Sequence, residues 1–234
     1  NVLKQTTVQH GPFMPFPQRL LEGYNAFRTS RLPTEQSRYR ALAESGQSPE
    51  IMVIGCSDSR VSPEVIFDAH PGELFVTRNV ANLVPPYTPD GAARAVSAAL
   101  EFAVMALKVK HIIVVGHYGC SGVRAAMTKA RVGLADNWIR HIQDVQDKHG
   151  QYLGTVLKED SKLNHLCELN VIEQVLNVCN TTSIQDAWAR NQDITVHGWI
   201  YDLKDGRIRD LGISVKNSQE LNQRYDSVIE KSYA

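Results

Sequence analysis

Two short glycine-flanked segments carry the side chains best suited to chemistry. One reads Gly55-Cys56-Ser57-Asp58-Ser59-Arg60, the other Gly116-His117-Tyr118-Gly119-Cys120-Ser121-Gly122. Each follows a short continuous apolar run, Ile51-Met52-Val53-Ile54 and Ile112-Ile113-Val114-Val115. In open α/β sheets, functional groups gather at the carboxyl ends of the strands. If the two runs are neighbouring parallel strands, Cys56, His117 and Cys120 meet at one sheet edge. Two thiolates and one imidazole are a good Zn²⁺ set, and they leave one tetrahedral position open, the mark of a catalytic site. His117-x-x-Cys120 alone is a weak signal; a cysteine at a second strand end strengthens it.

The opposing reading treats each cysteine as a small buried hydrophobe. It suits Cys167 and Cys179, twelve residues apart in a helical stretch and therefore on different helical faces. It suits Cys56 and Cys120 less, because glycine-flanked strand ends turn sharply and are expected to be incompletely buried. Asp58 and Arg60 read most simply as an ion pair. Beside a metal, Asp58 is either a fourth ligand or the acceptor of a hydrogen bond from metal-bound hydroxide. Arg60, by holding it bidentately, favours the second role. Zinc lowers the pKa of bound water to roughly 7 and so supplies hydroxide at neutral pH.

Elements must position these groups. Leu74-Phe75-Val76 is a third buried run. Helical patterns separate the runs, most clearly over 91–107, and predict right-handed βαβ crossovers in a parallel sheet. Residues 1–17, interrupted by Pro12, Pro15 and Pro17, read as an arm. Helices are expected over 18–32 and 34–45, the first with Leu20, Leu21, Tyr24 and Phe27 on one stripe and the second ended by Gly46. Pro85 to Asp90 reads as a rigid loop. Further helices are expected near 121–130, 137–148, 164–179 and 184–190. A strand over 195–201 and another over 207–215 flank Asp205-Gly206, a hairpin signal. Asn217 with Glu220 forms a capping box for a last helix. The fold class is thus α/β: a mostly parallel central sheet, flanking helices, an N-terminal helical arm and an antiparallel addition near the C-terminus.

Composition excludes several classes. The 234 residues include 25 basic and 25 acidic side chains, so no positive excess exists to neutralise nucleic-acid phosphates. No run approaches the ~18 apolar residues of a membrane span. The 43% hydrophobic content argues against disorder. Four cysteines are too few for a disulfide framework in a chain this long. Reduced thiols and the absence of a signal-like apolar core in Asn1-Val2-Leu3-Lys4 lead to the expectation of a cytoplasmic protein.

Cys-x-Asp-x-Arg at 56–60 with His-x-x-Cys at 117–120 resembles the β-class carbonic anhydrases. Pro71–Val76, Arg78–Val84, Cys167–Val171 and Val196–Trp199 also resemble family segments, so the likeness covers most of the chain. It implies one domain over 1–234, with residues 1–45 packing on a dimer mate, and a homodimer unit built into a tetramer. It implies one Zn²⁺ per chain on Cys56, His117 and Cys120, an Asp58–Arg60 catalytic dyad, and reversible hydration of CO₂ to bicarbonate. It implies a substrate pocket of Gln47, Phe75, Val80 and Phe102, partly contributed across the dimer interface. Those four read otherwise as ordinary packing residues. Some bacterial members place a Trp three residues before the first ligand cysteine, where it joins an Arg and a Tyr in an inhibitory bicarbonate site. Here Val53 stands there, with Arg78 and Tyr201 matching, so that site is expected to be incomplete. Ser121 replaces the usual Gly, keeping a backbone N–H for a bound anion. The competing functions are hydrolysis of carbon disulfide or carbonyl sulfide on the same scaffold, a zinc protein without turnover, and thiol catalysis by Cys56.

Overall fold

The computed structural model describes residues 17–88 and 95–233. The arm expected before residue 17 lies outside the described residues, as do the end of the 85–90 loop and the first turn of the helix expected over 91–107. The chain divides into two compact units, Asn1–Gly46 and Gln47–Ala234.

The described part of the first unit is one continuous helical run. α1 (Gln18–Ala26) passes through a π-helical segment, Phe27–Arg31, into α2 (Leu32–Ser45). Two separate helices were expected, over 18–32 and 34–45, with Pro33 between them. Instead the helix widens just before the proline, and Leu32 N–H reaches back to Phe27 O. A π turn is a common way for a helix to absorb such an irregularity. Gly46, at φ +75°, ends the run, and its N–H closes on Leu42 O at 2.9 Å.

The second unit is built on a five-stranded sheet in the order β2-β1-β3-β4-β5. β1 (Ile51–Cys56), β2 (Leu74–Asn79), β3 (His111–His117) and β4 (Thr195–Asp202) are parallel, and β5 (Arg207–Val215) runs antiparallel to β4. The five strand expectations and the hairpin at Gly206 (φ +69°) are thus met. Helices α3 (Pro63–Ile66), α4 (Ala95–Phe102, continued by a π segment to Leu107), α5 (Ser121–Met127) and α6 (Ala135–Lys148) follow in order. Then come α7 (Gly150–Thr155), α8 (Glu159–Cys179), α9 (Thr182–Ala189) and α10 (Ser218–Tyr233). The short α3 and α7 were not expected from the pattern, since four and six residues are too few to show a period. The capping box is present: Glu220 N–H donates to Asn217 Oδ1 at 3.0 Å.

Met52, Ile54, Ile112, Val114 and Val196 form one buried face of the sheet against α4, α8, α9 and α10. Val53, Ile113 and Val115 form the other, with Phe67 and Trp199 packed over them. α8 is the central helix. Its side chains leave little room for others in two strands: a methyl on Gly116 would collide with Val171 Cγ2, and one on Gly198 would sit 3.1 Å from Val175 Cγ2. Those two glycines let α8 lie close against β3 and β4, one residue before His117. No helix among the described residues is long and apolar enough to cross a membrane.

Candidate metal centre

The ends of β1 and β3 create the site. Gly55 pairs with Val115, so Cys56 and His117 leave the sheet side by side. Gly119, at φ +66°, then turns the chain back to bring Cys120 beneath them. The Sγ atoms of Cys56 and Cys120 are 3.9 Å apart, and the donor atoms of Cys56, His117 and Cys120 all lie within 4.8 Å of one another. Two sulfurs bound tetrahedrally at ~2.3 Å would stand about 3.8 Å apart. His117 gives its Nδ1 to Tyr118 O at 3.0 Å, while its Nε2 is buried without a hydrogen-bond partner. An orphaned buried nitrogen facing two close sulfurs fits a tetrahedral zinc ion. The incomplete burial expected for the two cysteines is corrected: Cys56 is 5% exposed and Cys120 is 2%. The segments packed over the strand ends, rather than the strands themselves, enclose them.

Charge in the cluster follows from that crowding. The Cys120 thiol donates to Cys56, and with help from His117 and the Asp58 N–H it draws the Cys56 thiol far below its ordinary value. Cys120, hydrogen-bonded to the Cys56 sulfur and buried, is pushed up in return. The two sulfurs are thus held in mutual contact, in the place where a cation would bind. Burial pushes the Cys167 thiol up to about 12, and burial also raises Cys179. They occupy different core clusters, as their spacing predicts, and neither joins the donor set.

Asp58 sits beside the donors without joining them. Arg60 holds it as a fork, Nε to Oδ1 at 2.9 Å and one Nη to Oδ2 at 2.7 Å, and the Arg60 backbone N–H adds a third bond at 3.0 Å. Oδ2 lies 3.8 Å from His117 Nε2. The Arg60 guanidinium holds the Asp58 carboxyl well below the usual carboxylate range, against a smaller opposing effect of burial. Arg78 clamps the same loop from β2, donating to Cys56 O at 2.8 Å and to Asp58 O at 2.6 Å.

A polar rail on α8 completes the support, and sequence reasoning missed it. Asn170 donates to Ala81 O at 3.1 Å, Gln174 accepts from Val84 N–H at 2.8 Å, and Asn177 donates to Val84 O at 2.9 Å. Asn79 closes the same segment on itself through both backbone groups of Leu83. This rail holds Ala81 and Asn82 at positive φ, 63° and 50°. The available signal was the polar residues Asn170, Gln174 and Asn177 among the apolar positions of a largely buried helix.

The structure separates the expected pocket residues. Val80 follows β2 at the metal end; it is 40% exposed and packs on Gly122, next to Ser121. Phe75 instead pairs with Met52, four residues before Cys56 and so about 13 Å along the strand. Its ring meets Phe102, 48% exposed, at 5.9 Å. Gln47 is exposed ahead of β1. Val53 is fully buried on the second sheet face, while Tyr201 is half-buried and its carbonyl accepts Tyr118 N–H.

Comparison with known proteins agrees with this geometry. The family model described as carbonic anhydrase matches residues 51–208. A carbonic anhydrase of Emericella nidulans is 42% identical over 195 residues, 83% of each chain. The crystal structure of the Coccomyxa β-carbonic anhydrase in complex with acetazolamide superposes with a TM-score of 0.81 at 32% identity, covering 94% of this chain and 99% of that one. One of two tetrameric β-carbonic anhydrases of Sordaria macrospora gives 0.75 at 34%, covering 84% and 97%.

Proposed function

This chain belongs to the β-class carbonic anhydrases, zinc enzymes acting on CO₂ and bicarbonate, and we propose how its own residues carry out that reaction. Cys56, His117 and Cys120 would hold the zinc, and bound zinc would supply the nucleophile by lowering the pKa of water to roughly 7. Asp58 Oδ2, 3.8 Å from His117 Nε2, would accept a hydrogen bond from that nucleophile and so orient it for CO₂. Arg60 keeps Asp58 ionised and fixed, so the carboxylate accepts and never donates. Tyr118 O fixes the His117 ring through Nδ1. The observation that carries this reading is the Arg60 fork on Asp58 beside the unpartnered His117 Nε2.

The inhibitory bicarbonate site is proposed to be incomplete. Val53 supplies no indole, and Arg78 is engaged by the carbonyls of Cys56 and Asp58. Asp58 then stays with Arg60 at neutral pH. Stopped-flow CO₂ hydration from about pH 6.5 to 9 on zinc-loaded protein tests this, since the window brackets the pKa of zinc-bound water. Substantial turnover is expected near pH 7.5, changing through a single ionisation. Asp58 contributes no step there, because its carboxyl remains charged across the whole window. Activity that rises steeply only above about pH 8 would mean that Asp58 has left Arg60 for the metal.

The pocket is proposed to be completed between subunits. An apolar wall suits CO₂, and Val80 and Ser121 stand at the metal end of their own chain. Gln47, Phe75 and Phe102 are too far along the sheet and would serve the partner's site, with the helices of residues 18–45 packing on that partner. Light scattering on the purified enzyme is expected to give a dimer or a multiple of it, the tetramer foremost. A fully active monomer would refute the shared pocket. The free, buried thiols support the placing of the enzyme in the reducing cytoplasm.

A further inference from the structure

A second pair of convergent imidazoles stands at the opposite end of the sheet. His111 opens β3, and His197 lies in β4, the neighbouring parallel strand. The register sets His111 against Thr195 and Ile113 against His197, so the two histidines are diagonal neighbours on one sheet face. His111 Nδ1 and His197 Nε2 are 3.2 Å apart, with ring centroids at 5.3 Å. The other nitrogen of His197, Nδ1, lies 2.9 Å from Ser214 Oγ on β5. With the Nδ1 proton given to Ser214, the lone pair of Nε2 faces His111. The neutral pair thus shares one proton between two ring nitrogens.

We propose that this pair is a second metal site, a bidentate chelate for a borderline divalent transition ion such as Ni²⁺, Cu²⁺ or Zn²⁺, formed when the ion takes the place of the shared proton. Two nitrogens 3.2 Å apart, each about 2.0–2.1 Å from an ion, subtend roughly 100°, between the square and tetrahedral angles. Imidazole is a preferred ligand for these ions. Paired strands fix both backbones, so little freedom is lost on chelation. Ser214 is the outer partner that sets the orientation of one ring. Burial, with the neighbouring His111, holds the His197 pKa below the ordinary imidazole value against the pull of Asp210 on β5. The neutral ring is the ligand form. Beside His111, Glu50 and Lys110 are paired with each other, and Asp193 adds a carboxylate near Lys110. His111 is exposed, so water fills the remaining coordination positions.

His117, at the far end of the same strand, is six residues away, about 20 Å. An ion on His111 and His197 therefore stands clear of the zinc donors of its own chain. With two ligands and no thiolate, the site is the weaker of the two and fills after the catalytic one.

Calorimetric titration of the zinc-loaded enzyme with Ni²⁺ tests this, with elemental analysis for zinc before and after to detect exchange at Cys56. A single Ni²⁺ per chain is expected to bind with all zinc retained. Binding is expected to disappear in His111→Asn and in His197→Asn, and to weaken about tenfold in Ser214→Ala. His111 is exposed, so His111→Asn is expected to fold and, without nickel, to hydrate CO₂ at the normal rate. Absence of Ni²⁺ uptake beyond zinc exchange would overturn the proposal. So would uptake of unchanged affinity in His111→Asn, since that would place the nickel on other groups.

Discussion

Cys120→Ala is expected to yield folded protein that retains almost no zinc and hydrates CO₂ at the background rate. Cys120 is the donor that the Gly119 turn brings under the two strand ends, and no other Cys, His or acidic group among the described residues joins that cluster. Loss of one ligand leaves a single thiolate and an imidazole, without the tetrahedral set that favours zinc. Outer-shell changes alone typically cost ~10–100-fold in metal affinity, and removal of a ligand exceeds that. Zinc content by elemental analysis and turnover by stopped flow are the measurements. Cys179→Ala is the matched control. It lies in the other core cluster, so it should lose some stability and keep its zinc. A Cys120→Ala enzyme with full zinc would remove Cys120 from the ligand set.

Asp58→Asn separates the metal from the chemistry. Zinc is expected to stay, because Asp58 is not one of the clustered donors. Turnover is expected to fall by about 10²–10³, what the loss of one preorganised hydrogen-bonding group typically costs. The amide is isosteric, but its nitrogen is a donor where the fork needs two acceptors. If the amide oxygen turns to Arg60, an N–H faces the nucleophile and opposes its orientation. If it turns the other way, Arg60 meets a donor and the fork opens. Full turnover in this variant would show that the fork is an ion pair without a part in the reaction.

The catalytic end of this molecule was legible because strand ends concentrate chemistry and Cys56, His117 and Cys120 stand at two of them. β1, β2 and β3 were legible for a related reason, since short continuous apolar runs suit a parallel sheet, and β4 with β5 was legible from the Asp205-Gly206 hairpin signal. What was hidden depended on contacts distant in sequence. The full burial of Cys56 and Cys120 comes from segments packed over them, and neither local glycine content nor strand position reports that. The α8 rail was hidden because Asn170, Gln174 and Asn177 acquire meaning only when Ala81 and Val84 lie against them. The merged first helix was hidden because Pro33 signals a break, while the π turn that removes the break has no side-chain signature. The pocket residues were named by resemblance alone, and β2 carries Phe75 away from the metal end of its own chain.

The α8 rail also bears on when the site comes into being. Its bonds join residues 89, 90 and 93 positions apart. Contacts of that separation close long loops and form late in folding. On the ribosome all three zinc donors have been synthesised once Cys120 is made, but the helix that pins the segment above them begins only at Glu159. A nascent chain therefore owns its ligands before it owns a site. Because a ligand stabilises the form that binds it best, zinc favours the molecules in which that helix has docked over the strand ends.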